Sequence, residues 1–162
     1  MQQSRTADRA MEIERPRYGK ELCLLALDGG GVRGLSSLQI VRHLMESVNP
    51  DFPPRPCEYF DMIGGTSTGG LIALMLGRLG MTVDEAIDAY LELSPKIFAK
   101  QHHRVTLKGK VQGRFDHIAV EQGVKDLLVK RGLDSDTLLK DPSEESCKTS
   151  VLRYTTTRAA NS

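Results

Sequence analysis

The apolar positions of this chain fall into blocks whose spacing changes along the sequence. A continuous apolar run at 22–27 predicts a strand buried on both faces of a parallel sheet. At 35–48 the apolar residues recur at helical spacing with charged residues between them, which predicts an amphipathic helix. A second short strand is expected at 60–63, and an almost wholly apolar, buried helix at 71–79. Because strands and helices alternate and glycine turns follow both strands, the pattern predicts an α/β fold with a mostly parallel sheet.

The rest of the chain carries weaker signals. Thr82 and Glu85 have the spacing of a capping box, which predicts the start of a helix at 83–93. The remaining expectations are a proline-rich loop at 49–56, a basic loop with some local helix at 94–113, an amphipathic helix at 115–130, a loop at 133–146 and a third strand at 147–154.

Composition narrows the class of protein. The 162 residues are 40% hydrophobic and 27% charged, which is typical of one soluble globular domain. A net charge of +1 gives no support to a nucleic-acid binder. No apolar run reaches the roughly 20 residues that span a bilayer. The polar segment 1–20 is interpreted as a mobile leader rather than a secretory signal, which leaves 21–162 as the domain.

The three cysteines are too few and too scattered for a disulfide framework or a zinc site. They favour a reducing, cytoplasmic compartment. No group of residues has metal-ligand spacing, so neither a metal nor an organic cofactor is expected.

The second glycine turn, residues 65–69, reads Gly-Thr-Ser-Thr-Gly and matches the nucleophile elbow Gly-x-Ser-x-Gly. In that motif a sharp strand-to-helix turn displays a serine, here Ser67, and the flanking Gly65 and Gly69 must be small because strand and helix nearly collide. An apolar strand before the motif and a buried helix after it are the context that such an elbow requires. The alternative is a glycine turn that only allows close packing.

The first glycine turn has two candidate functions. Gly29, Gly31 and Gly34 match the dinucleotide fingerprint Gly-x-Gly-x-x-Gly, but the acids downstream, Glu46 and Asp51, do not follow a strand. A phosphate-binding loop also fails, because 64–70 lacks the Gly-Lys-Ser/Thr ending. The other function is an oxyanion hole, in which the amides of consecutive glycines face a developing negative oxygen. The alternative interpretation of this loop is an ordinary glycine turn that caps a helix.

These two turns carry a family resemblance. Asp28-Gly-Gly-Gly-Val-Arg-Gly34, followed by Tyr59-Phe-Asp-Met-Ile-Gly-Gly-Thr-Ser-Thr-Gly-Gly70, resembles the patatin-like phospholipases, and segments 74–80 and 83–90 are closest in style to fungal members. The resemblance covers roughly 22–147. It implies a three-layer α/β/α fold and hydrolysis of lipid acyl esters by a Ser-Asp dyad.

The resemblance also implies roles for individual residues. Ser67 would be the nucleophile, and the glycine loop 29–31, chiefly Gly30 and Gly31, would stabilise the oxyanion. Arg33 matches the basic residue of the family's loop and is a candidate contact for a substrate phosphate; the alternative is an exposed or salt-bridged structural arginine. A phospholipid or acylglycerol would be the substrate, with peripheral contact to membranes.

One family feature is missing from the chain. The second dyad residue lies in an Asp-Gly-Gly or Asp-Gly-Ala turn downstream of the serine, whereas the only Asp-Gly here is Asp28-Gly29. Asp88 falls in a predicted helix and is a poor substitute. The four histidines, at 43, 102, 103 and 117, are expected at the surface. The chain is therefore expected to be truncated before the catalytic Asp, with the domain incomplete.

Three functions follow from these observations. The leading one is a patatin-like lipid acyl hydrolase that acts in lipid breakdown. The second is a catalytically inactive lipid-binding or regulatory fragment that lacks the dyad Asp. The third and weakest is a nucleotide-binding oxidoreductase.

Overall fold

A computed structural model describes residues 21–98, 117–140, 143 and 146–152 of the chain. The predicted leader at 1–20, the pair His102-His103 and most of the predicted basic loop lie outside the described residues.

The described residues form a parallel sheet and the helices that connect its strands. Strand β1 (Leu24–Leu27) lies beside β2 (Met62–Thr66), which lies beside β3 (Lys148–Leu152). Both pairs are parallel, with Leu25 opposite Ile63 and Ile63 opposite Thr149. This confirms the α/β class and the parallel sheet. In chain order the elements are β1 (Leu24–Leu27), a 3₁₀ turn (Gly31–Arg33), α1 (Gly34–Val48), α2 (Pro56–Tyr59), β2 (Met62–Thr66), α3 (Thr68–Ala73), a π-helical turn (Leu74–Arg78), α4 (Val83–Phe98), α5 (His117–Lys130) and β3 (Lys148–Leu152).

The core lies on one face of the sheet. Helix α3 contacts all three strands, α1 packs against α3 and α4, and α4 packs against α5. Ile63, at the centre of the sheet, is fully buried. On the opposite face Leu24 and Leu152 are 61% and 62% exposed, so the described residues place no helix over it. The third layer of the expected α/β/α sandwich would have to cover this face, since parallel sheets are normally buried on both sides.

Several elements differ from the sequence expectations, and three of them have a clear local reason. Strand β2 is Met62–Thr66 rather than 60–63, because the glycines continue the ladder with β3. Helix α2 was not expected within the proline-rich loop; Pro56 is its first residue, where a missing N–H costs nothing. The buried helix at 71–79 is two segments, since the Leu79 amide bonds the Leu74 carbonyl in a π turn.

Helix α4 corrects the prediction that a loop begins at 94. It continues through Pro95 to Phe98. Proline cannot donate to the Leu91 carbonyl one turn back, and the Ser94 hydroxyl donates to that carbonyl instead, at 3.4 Å. Ile97 is 4% exposed, so burial of an apolar side chain holds the last turn.

The main chains of β1, β2 and α3 approach one another closely at a single junction. A side chain at Gly69 would collide with the Leu27 carbonyl oxygen, and one at Gly65 would collide with the Gly69 main chain. Both glycines are buried. Strand and helix can therefore meet at this junction only if both positions lack a side chain.

We expect Gly69→Ala to lower the free energy of unfolding by about 1–3 kcal/mol or more, because the added methyl meets rigid main chain. The matched control is Gly123→Ala on α5, where the methyl meets only the end of the Leu93 side chain. There the better helix propensity of alanine offsets the crowding, and the change should stay within about 1 kcal/mol. Urea denaturation followed by circular dichroism measures both. Equal stability of the two variants would contradict the packing described.

The cap of α4 predicts a pH dependence. The Thr82 amide donates to the Glu85 carboxylate at 2.8 Å and the Glu85 amide donates to the Thr82 hydroxyl at 3.2 Å, which confirms the capping box. The hydrogen bond from Arg131, and then that from the Thr82 amide, hold the pKa of Glu85 below its ordinary value. The stability that ionised Glu85 contributes is therefore present above its unfolded pKa of about 4.3 and is lost as the pH falls through the lower folded pKa.

Glu85→Gln should consequently destabilise the fold at pH 7 by at most about 1 kcal/mol, since the side chain is half-exposed. The difference from the unchanged protein should shrink below about pH 4. Asp88→Asn is the control, because it removes an exposed carboxyl from the same helix outside the capping box. A Glu85→Gln difference that is constant from pH 3 to pH 7 would disprove the linkage.

Candidate active site

Ser67 lies on the tight turn between β2, which ends at Thr66, and α3, which begins at Thr68. Its backbone has φ 51° and ψ −123°, and it is the only non-glycine residue with positive φ in the described part of the chain. Such a conformation costs of order 1–3 kcal/mol and persists only where surrounding structure holds it. The junction of Gly65, Gly69 and Leu27 holds it here, and the Ser67 side chain is exposed.

The glycine loop 29–31 lies directly beside Ser67. A side chain on Gly29 would come within 2.8 Å of the Ser67 Cβ and 2.9 Å of the Thr66 carbonyl oxygen. The loop follows β1 and Ser67 follows β2, so both lie at the carboxyl edge of the parallel sheet, where open α/β sheets build their sites. The structure thus brings together the two turns that the sequence singled out.

Two threonine hydroxyls bind the loop to the elbow. The Gly29 amide donates to the Thr66 hydroxyl and the Gly30 amide donates to the Thr68 hydroxyl, each at 3.0 Å. Thr68 is 6% exposed, so its contact is shielded from water. The amides of Gly29 and Gly30 are therefore already engaged in this structure.

Gly31 differs from its two neighbours. Among the residues that the structure describes, its amide donates no hydrogen bond, and its φ of +58° is a left-handed conformation that suits glycine. Of the three candidate oxyanion donors, Gly31 is the one that can bind a substrate oxygen without first breaking a bond.

Arg33 and Gly34, which follow the glycine loop in the sequence, make different contacts. Arg33 is exposed, and its Nε donates a long hydrogen bond of 3.4 Å to the Gly30 carbonyl, which keeps the guanidinium next to the loop. Gly34 is buried, and a side chain there would come within 2.5 Å of the Tyr90 hydroxyl oxygen. The last glycine of Gly-x-Gly-x-x-Gly therefore serves close packing between the loop and α4.

An apolar pocket of about 290 Å³ opens beside Ser67. Its floor comes from α3 and the π turn, one wall from α5, and another from the 137–139 segment and β3. Aliphatic side chains dominate this lining, and Arg78 and Thr137 add polar groups. The apolar lining residues are Gly70, Leu71, Leu74, Val120, Val124, Leu128, Leu138, Leu139 and Val151.

The structure brings no general base to the Ser67 hydroxyl from the residues it describes, since that hydroxyl makes no hydrogen bond to any of them. His43 lies exposed on α1, with its Nδ1 bonded to the Gln39 carbonyl at 2.8 Å, and His117 begins α5. Asp28 is exposed at the end of β1, and Asp88 is exposed on α4. Within these described ranges no cluster of His, Cys, Asp and Glu could hold a metal ion.

Sequence reasoning missed the hydroxyl groups that hold the glycine loop. Thr66 and Thr68 flank the serine within the motif itself, so their contact with a neighbouring loop could have been suspected. Tyr90 follows Val83 and Ile87 at helical spacing on the inward face of α4. A buried tyrosine needs a partner for its hydroxyl, but the sequence does not reveal which partner.

Comparisons with known proteins identify the family of the chain. The family model Patatin-like phospholipase matches residues 25–160. Patatin-like protein 4 of Arabidopsis thaliana is 42% identical over 92 residues, which cover 51% of this chain and 23% of that protein. The calcium-independent phospholipase A2-gamma of Homo sapiens is 28% identical over 132 residues, which cover 82% of this chain and 16% of that protein.

The chain thus spans about a quarter or less of the length of these relatives. No solved structure gives a significant match, and in the described residues no helix is long and apolar enough to cross a membrane. The family match extends over most of the chain and includes both glycine turns of the site. This chain therefore belongs to the patatin-like phospholipase family.

Proposed function

We propose that this protein is a lipid acyl hydrolase that cleaves carboxylic esters through an acyl-enzyme on Ser67, in the breakdown of lipids. One observation carries the proposal: an exposed serine in a strained conformation lies between a glycine loop and an apolar pocket. The family to which the chain belongs supports the same chemistry.

The reaction has two halves. The Ser67 oxygen attacks the acyl carbonyl, and the alcohol part of the lipid leaves once the tetrahedral intermediate collapses to the acyl-enzyme. Water then attacks the acyl-enzyme and releases the fatty acid. In both halves the negative oxygen lies against the glycine loop, where the Gly31 amide, which has no hydrogen-bond partner among the described residues, is the first available donor. One such donor is worth roughly 2.7–4 kcal/mol in the transition state.

The pocket and the loop suggest how a lipid binds. The aliphatic lining beside Ser67 suits an acyl chain, which leaves the head of the lipid on the solvent side, near Arg33. A phosphate there would pair with the guanidinium, so a phospholipid fits as well as an acylglycerol does. We propose that the protein meets such substrates in the cytoplasm, by peripheral contact with membranes.

A second function is favoured by one observation, the absence of a hydrogen-bonded base on the Ser67 hydroxyl within the described residues. A serine hydroxyl is a weak nucleophile until a base accepts its proton. The family resemblance implies an Asp for that task, and the chain would be a lipid-binding or regulatory fragment if no base is supplied. Ester turnover distinguishes the two functions.

We expect a fluorophosphonate probe to label the protein at Ser67 and Ser67→Ala to abolish the labelling. Ser36→Ala, at an exposed position on α1, is the control and should be labelled at the unchanged rate. Peptide mass spectrometry identifies the modified residue. Labelling that survives in Ser67→Ala would disprove the proposed nucleophile.

The 162-residue chain should turn over a chromogenic ester much more slowly than a version extended through its natural downstream sequence, because nothing described here activates the serine. Residual turnover is still expected, since oxyanion stabilisation and binding alone retain roughly 10³–10⁴-fold over water in triad enzymes. Robust turnover by the short chain, abolished by Ser67→Ala, would reveal a base within residues 1–162.

The pocket predicts selectivity for acyl length. Val124→Phe should fill part of the cavity and lower kcat/KM for long-chain esters relative to short ones, by about fourfold for each methylene excluded, at about 0.8 kcal/mol per methylene. Val129→Phe is the matched control, since Val129 lies on the same helix but is 61% exposed and outside the pocket. A series of p-nitrophenyl esters of increasing length, hydrolysed by the extended version, measures the ratio. Unchanged selectivity in Val124→Phe would exclude this pocket as the acyl site.

A further inference from the structure

The Tyr90 side chain connects the middle of α4 to the glycine loop. Its hydroxyl donates to the Gly31 carbonyl at 2.5 Å, and its ring is 2% exposed. Gly34 lies directly over that hydroxyl, since a side chain there would come within 2.5 Å of it. Burial raises the pKa of Tyr90 above its ordinary value, so the hydroxyl stays protonated and able to donate across the neutral range.

Three consecutive residues of the loop are each held by a different hydroxyl. The Thr66 and Thr68 hydroxyls accept from the first two glycines, as described above, and Tyr90 donates to the third. The two threonines belong to the elbow, whereas Tyr90 lies on α4, 59 residues after Gly31 in the sequence. Tyr90 is therefore the contact by which α4 fixes the position of the loop relative to the serine.

Peptide planarity makes this contact a constraint on the neighbouring N–H groups. In a trans peptide the carbonyl and the N–H point in opposite directions. Because the Gly31 carbonyl is bonded to the buried Tyr90 hydroxyl, the N–H of Val32 points away from the core. The Gly30 carbonyl accepts from the Arg33 amide at 3.2 Å. Because the peptide between Gly30 and Gly31 is planar, this bond fixes the direction of the Gly31 N–H.

A phenylalanine at position 90 would fill the same space and would bury the same ring. What it would lack is the bond to the loop. Removal of this single oxygen atom therefore distinguishes a role in packing from a role in orienting the loop.

We propose that Tyr90 is a positioning residue for ester hydrolysis, which holds the Gly31 carbonyl, and with it the glycine loop, so that the N–H groups of the loop face the oxyanion formed at Ser67. The inference rests on the proposed function, because it assumes that acyl transfer occurs on that serine. Tyr90 touches neither substrate nor reacting atoms and acts only through the loop.

The test compares Tyr90→Phe with Tyr59→Phe in the 162-residue chain and in the version extended through its natural downstream sequence. Tyr59 is the control, because it is a half-buried tyrosine whose hydroxyl makes no hydrogen bond among the described residues. The measurements are the rate of Ser67 phosphonylation per reactive serine, kcat and KM on a chromogenic ester, and hydrogen exchange of the 29–33 amides.

Tyr90→Phe should lower the phosphonylation rate and kcat by roughly tenfold or more, since small displacements of a catalytic group cost up to 10²-fold. KM should stay within about twofold, because the loop amides act mainly on the transition state. Exchange of the 29–33 amides should be faster in this variant, and Tyr59→Phe should match the unchanged protein. A role confined to packing would lower the melting temperature without changing the rate per reactive serine.

The outcomes separate the inference from the proposed function. If Ser67 is labelled equally fast in the unchanged protein and in Tyr90→Phe, the inference is overturned while the proposed function stands. If Ser67 is labelled more slowly in Tyr90→Phe while hydrogen exchange of the 29–33 amides is unchanged, the inference is also overturned, because Tyr90 then does not act by anchoring the loop. If the extended version is not labelled at Ser67 at all, the proposed function fails, and the inference fails with it.

Discussion

The contact between the main chains of Leu27, Gly65 and Gly69 determines the geometry of the site. The Leu27 carbonyl occupies the space that a side chain at Gly69 would need, and α3 begins only one residue after β2 ends. The chain can make that turn only through a residue with positive φ, and this residue is Ser67. The strain is local, whereas the packing that sustains it extends over two strands and a helix. Exposure of the serine is thus a consequence of close packing beneath it.

The same junction explains why the glycine loop lies beside Ser67. β1 supplies both the Leu27 carbonyl in the junction and, directly after it, the loop that begins at Gly29. Tight packing of α3 on β1 therefore brings loop and serine within contact distance without a dedicated connection. Hydroxyl contacts from Thr66 and Thr68 then fix the loop at a spacing that the strands have already set. The arrangement is rigid because each part is held from two directions.

Features decided by local sequence were predictable, and features decided by distant contacts were not. The parallel α/β class, the Thr82 cap and the elbow at Ser67 follow from periodicity and short motifs. The extension of α4 past Pro95 could not be predicted, since it depends on the burial of Ile97 and on a hydroxyl that replaces the missing donor. The engagement of two loop amides by threonines was equally hidden, because it joins residues 37 and 38 positions apart.

The unequal hydrogen bonding of the glycines bears on how such a loop operates. A loop whose amides all pointed into an empty site would leave several unpaired donors, which is costly wherever water is excluded. Here two of three amides are satisfied by threonine hydroxyls, and the Gly31 amide is left unpaired among the described residues. Because threonine hydroxyls already pair the other amides, the loop keeps its shape before any substrate arrives. In the reaction that we propose, the unpaired amide gains its partner when an oxygen develops negative charge beside Ser67, and its hydrogen bond then stabilises the transition state rather than the resting protein.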